Sequence, residues 1–136
     1  MTPSPPRRRP ARSVAAIVAG FLATAGLSIG TDAALHAASV YPPMGVRMSD
    51  GLFVLATAYR VAFTVLGGYL AARLAPSRPM WHAWVLGIIG TFAALAGLVA
   101  TWNAGPELGP RWYPLSLVVT ALPCVLDVHL YRCDRP

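Results

Sequence analysis

The chain has no lysine and only five acidic residues, so charged side chains occupy just 12% of its 136 positions. An ordinary soluble domain carries about a quarter, and this scarcity excludes a surface that faces water on all sides. Cysteine is almost missing as well. Cys124 and Cys133 form no CxxC pair and both fall toward the end of the last apolar run, which excludes a disulfide framework and a dithiol redox centre. Both are expected as reduced thiols. A phosphate-cradling glycine loop, an HExxH helix and a nucleophile elbow are also absent, so nothing marks the chain as an enzyme.

What is abundant is apolar. The composition is 56% hydrophobic with a mean hydropathy of +0.55, and the apolar residues fall into four long runs, each near the roughly 20 residues that cross a bilayer as a helix. The expected fold is all-α: an integral membrane antiparallel four-helix bundle, with transmembrane helices at about 13–38, 51–73, 81–102 and 113–131 in a single membrane domain.

Turn and cap residues set the bounds of these runs. Tyr41-Pro42-Pro43 follows the first, Ser49 and Asp50 are candidate N-caps for the second, and Arg73 to Pro76 close it. Trp81 and Trp102 bracket the third, which stops at Asn103-Ala104-Gly105. Pro114 sits in the first turn of the fourth and Arg132 at its exit. Residues 1–12, rich in Pro and Arg, cannot bury apolar surface and are expected to form a disordered basic cytoplasmic tail near anionic headgroups. Arg7, Arg8 and Arg9 ahead of an apolar stretch also read as a signal peptide, with 34–38 loosely resembling a cleavage site. The run outlasts the roughly 7 to 15 residues of a signal core, and it carries Asp32 on a polar stripe that other helices share, so retention makes better sense.

The net charge of +6 is not a nucleic-acid footprint, because the basic residues flank the apolar runs instead of clustering on a face with stacking aromatics. They set orientation. With the N-terminus inside, the cytoplasmic segments hold Arg7, Arg8, Arg9, Arg12, Arg73, Arg78, Arg132 and Arg135, against Arg47 and Arg111 outside, which gives an N-in/C-in topology. Exclusive use of arginine goes with a GC-rich bacterial genome, hence a bacterial inner-membrane location. The lipid bilayer is the expected partner, together with a second copy of the chain or another membrane protein. No cofactor is implied.

The remaining basic residue, Arg60, falls inside the second span. A charge there costs roughly 2.5 to 3.5 kcal/mol on insertion scales, so it is expected to face the bundle interior and find a partner. Asp32 and Asp127 compete. Helical side chains lean toward their own N-terminus, so Arg60 on an inward-running helix and Asp32 on an outward-running one converge, which favours Asp32. Asp127, a shared triad, or snorkelling to the outer interface are the alternatives.

Each run carries small or polar residues at helical spacing: Gly20, Thr24, Ser28, Asp32 and His36; Ala56, Arg60, Thr64 and Gly68; Ala83, Gly87, Gly90, Ala94, Gly97 and Thr101; Ser116, Thr120, Cys124, Asp127 and Tyr131. Small residues let helix backbones approach closely and hydroxyls bond across the interface. The polar members of the first, second and fourth stripes could instead line a hydrated path for a proton or small polar solute. Pro123 lies within the fourth span and frees the carbonyl of Val119, which predicts a kink beside Cys124 and Asp127.

His82 and His129 share a depth near the inner interface, and with Cys133 nearby they form a candidate metal or bis-histidine haem site. The plainer reading makes them interfacial anchors. Tyr41, Trp112 and Tyr113 fit an outer aromatic belt, with Trp81, Trp84 and Tyr131 forming the inner one. Three functions follow in order of preference: a structural or accessory bundle with an Asp32, Arg60 and Asp127 network; a proton-coupled or solute-conducting protein; and a metal or haem redox protein.

Overall fold

Proline suits the first turn of a helix, where its missing N–H would have no partner. Helix α1 begins on one and runs Pro10–Ala37 (28 residues), so Ala11 and Arg12, expected in the basic tail, are helical. The computed structural model describes residues 10–105 and 108–126. These form three further helices, α2 Asp50–Leu74, α3 Pro79–Thr101 and α4 Trp112–Leu126, and no strand. Helices α1, α2 and α3 are long and apolar enough to cross a membrane, with mean hydropathies of 1.9, 1.5 and 2.1 over their apolar windows. At 1.5 Å per residue they reach about 35 to 42 Å against a hydrocarbon core of about 30 Å. The described part of α4 has 15 residues, and the rest of the expected fourth span lies outside the described residues.

The helix ends follow from local chemistry. Ser49 is the N-cap of α2 in extended conformation without a side-chain cap bond, and its carbonyl accepts the N–H groups of Leu52 and Phe53. Ala75 turns extended ahead of Pro76, as steric clash with the proline ring requires. At the end of α1, Ser39 takes a left-handed φ of 57°, and the N–H groups of Val40 and Tyr41 both return to the carbonyl of Leu35. This closure satisfies the last carbonyls and folds Tyr41 back against the helices.

Packing places mainly small residues inside, with Tyr41, Phe53 and Leu86 as large exceptions, and leaves many large ones outside. Ala16, Gly20, Ala56, Gly67, Gly68, Ala71, Ala72, Ala83 and Gly87 are buried, whereas Phe92 is 68% exposed, Val119 70% and Val99 75%. Helices α1 and α2 approach closely. A Cβ built on Gly20 would lie 2.6 Å from the carbonyl oxygen of Gly67, and one on Gly67 2.7 Å from that of Gly20. Contacts then move in opposite directions along the two helices: Gly20 meets Gly67 and Ala71, Thr24 meets Phe63, and Asp32 meets Arg60 and Tyr59. This register brings the acid of α1 to the arginine of α2.

Candidate functional site

The polar centre is built on that register. Arg60 Nη2 donates to Asp32 Oδ2 at 2.5 Å, and the Tyr59 hydroxyl donates to Asp32 Oδ1, so both carboxylate oxygens are occupied. Tyr59 and Tyr41 hydroxyls lie 3.1 Å apart, which extends the chain of hydrogen bonds to the segment after α1. The His36 ring meets Tyr41 edge-on with centroids 5.3 Å apart. Within the pair, each side chain remains about a third exposed, at 32% for Arg60 and 28% for Asp32. Arg60 Nε is buried and has no hydrogen-bond partner, a condition that ordinarily costs about 1–3 kcal/mol.

Two cavities adjoin this centre. An outer one of about 300 Å³ lies under the segment between α1 and α2 and includes Asp32, His36, Tyr41, Met48 and Tyr113 in its wall. An inner one of about 230 Å³ lies among all four helices, between Ser28 of α1, Thr64 of α2, Gly90 of α3 and Thr120 of α4. Arg60 lines both. A third cavity of about 380 Å³ lies beside the segment joining α3 and α4. Its Arg111 is committed to the Trp102 ring, 5.3 Å from the centroid.

The threonine hydroxyls of the inner cavity are spoken for as donors. Thr24 Oγ1 is 3.1 Å from the carbonyls of both Gly20 and Phe63, Thr64 donates to the Arg60 carbonyl at 2.7 Å, and Thr120 to the Ser116 carbonyl at 2.7 Å. With their protons held by helix carbonyls, these groups present acceptor lone pairs to the cavity. Thr24 alone reaches across to another helix. Ser28 is buried in the same wall.

His82, expected as an interfacial anchor or a metal ligand, is buried. It is only 4% exposed, and its Nδ1 lies 3.1 Å from the carbonyl of Arg78, which takes a left-handed φ of 46° just before Pro79. The imidazole is thus part of the turn into α3. Helix α4 continues through Pro123, and Cys124 is buried. Asp127, His129, Tyr131 and Cys133 lie outside the described residues, and among the described residues no group of three or more His, Cys, Asp or Glu is placed to hold a metal ion.

Sequence reasoning missed the tyrosines. Tyr41 was assigned to an outer aromatic belt, yet it is buried at 4% and bonded to Tyr59. Tyr59 stands one residue off the small-residue stripe of α2, about 100° around the helix, and only its adjacency to Arg60 could have drawn attention to it. Tyr113, from the same belt, faces the outer cavity and packs on Phe53 with centroids 5.0 Å apart. Comparison with protein-family models, curated protein sequences and solved structures finds no match to this chain.

Proposed function

We propose that the chain is a multi-pass bacterial inner-membrane protein of structural or accessory type, an antiparallel four-helix bundle with both termini in the cytoplasm. The observation that carries this reading is the Asp32–Arg60 pair, closed by Tyr59 on the second carboxylate oxygen. A neutralised pair of this kind fixes helix register, since any slip of α1 along α2 would separate two charges in a medium that punishes unpaired ones. The exposed Phe92, Val99 and Val119 supply the outward apolar surface that lipid or a second membrane protein covers. The arginine imbalance across the helix ends supports the orientation.

The test is assembly. Arg60→Ala in the full chain should lower thermal stability in detergent and weaken self-association or partner capture, with no flux to lose. Topology is checked separately with reporter fusions in the segments 75–78 and 38–49, which should report cytoplasm and periplasm respectively. The opposite pattern overturns N-in/C-in.

A second reading, conduction of a proton or small solute, is favoured by one observation: Arg60 lines both the outer and the inner cavity. A side chain that swings from Asp32 would join the two spaces. Proteoliposome flux that is lost in a folded Asp32→Asn variant would establish this reading over the first.

A further inference from the structure

The outer cavity holds more hydrogen-bond donors than its own residues use. Asp32, its one carboxylate, is filled on both oxygens by Tyr59 and Arg60. Arg60 Nε is buried without a partner and sealed from the cavity, so the part of Arg60 that borders the space is the accessible third of its side chain. The hydroxyl of Tyr113 and the imidazole nitrogens of His36 make no hydrogen bond to any described residue. Tyr113 and His36 therefore bring unused donors to a space that the accessible part of Arg60 also borders, while its acceptor is saturated. The rest of the lining is largely apolar, with Ile29, Ala33, Met44, Met48 and Ala56. A volume of about 300 Å³ is at the small end of ligand pockets.

We propose that this cavity binds a small amphipathic monocarboxylate. Its head accepts hydrogen bonds from Arg60, Tyr113 and His36, and its short apolar part lies on Ile29, Ala33, Met44 and Met48. The chemistry selects the class. An amine would find Asp32 already engaged and would meet the guanidinium charge. A neutral alcohol offers one oxygen with two lone pairs, too few for Arg60, Tyr113 and His36 together. A planar carboxylate offers two oxygens, and a guanidinium has two edges on which to share itself between that group and Asp32. The inference goes beyond the accessory reading and holds whether or not the bundle conducts.

The experiment is calorimetric titration of the full chain in neutral detergent micelles with sodium octanoate, 1-octanol and octylamine, three probes that differ only in head group. Octanoate should bind saturably, and the other two should only partition. Tyr113→Phe and His36→Gln, each checked to unfold at the wild-type temperature without ligand, should each weaken octanoate by about tenfold, the loss of one hydrogen bond to a charged group. Ala33→Leu, at an exposed position, keeps every donor and fills the apolar side; it should abolish octanoate binding even if the other variants fold poorly. Equal titration by all three probes, or octanoate binding unchanged in Ala33→Leu and in the folded donor variants, overturns the proposal.

Discussion

At the scale of single residues, the chemistry concentrates on Arg60. Its charge is balanced by Asp32 at 2.5 Å, and Tyr59 completes the carboxylate's coordination. Removing one partner strands the other, and that penalty exceeds the net worth of the intact pair because desolvation offsets most of the attraction. With both side chains about a third exposed, Arg60→Ala or Asp32→Ala should each cost about 1–3 kcal/mol, less than for a fully buried pair. The double variant should cost less than the sum of the two. A double-mutant cycle read by unfolding in detergent measures this, and strictly additive losses would show that the pair contributes no coupling. Asp32 was legible as the favoured partner, because the lean of helical side chains is a local rule. The tyrosine shell was not. Tyr41 reaches Tyr59 through the left-handed turn at Ser39 and the double closure onto Leu35, and a chain reversal of this kind leaves no trace in hydrophobic periodicity.

At the scale of elements, α1 and α2 meet through glycine. A methyl on Gly20 would face the Gly67 carbonyl at 2.6 Å and both the Ala71 Cβ and Leu86 Cδ2 at 2.9 Å, so the helices must separate to admit it. Gly20→Ala should therefore destabilise by about 1–3 kcal/mol, as overpacking does. Gly26→Ala has nothing within 4 Å of the new methyl and should be neutral or stabilising by up to about 1 kcal/mol from helix propensity. Comparing the two melting temperatures checks the placement of the α1 face, and equal effects would contradict it. The four-residue series on α1 picked out Gly20 and Ser28, both buried, and Thr24, Asp32 and His36, all partly so. On α3 the same reasoning held less far: Ala83 and Gly87 are buried, but Gly97 is exposed. A small residue on a helix shows only that a neighbour can approach; whether one does depends on where the other helices end.

At the scale of the whole molecule, the main physical fact is a largely small-residue interior beneath many exposed large apolar side chains. The burial of Ala71 and Ala83, both at 0% exposure, beside the exposure of Phe92 and Val99, would leave a water-borne protein with large apolar patches. Purification should accordingly require detergent, and dilution below its critical micelle concentration should precipitate the chain; a monodisperse detergent-free monomer would contradict the membrane reading. The cavities also belong to this scale. Walls drawn from α1, α2 and α4, with α3 added for the inner one, surround Arg60 on two sides, and no single helix implies either space.

Composition and periodicity alone determined that the chain is helical, how many apolar runs it has, which residues are small enough to sit between helices, and that Arg60 needs an acid. These follow from rules that act within one element: the length needed to span a bilayer, the pitch of a helix, and the cost of an isolated charge. Tertiary structure alone decided that Tyr59 and Tyr41 extend the ion pair, that His82 Nδ1 lies against the Arg78 carbonyl, and that Arg60 lines two cavities. Each of these depends on distances between residues far apart in the chain, which are set by how closely α1 and α2 approach at Gly20 and Gly67 and by where the turn after α1 delivers the backbone.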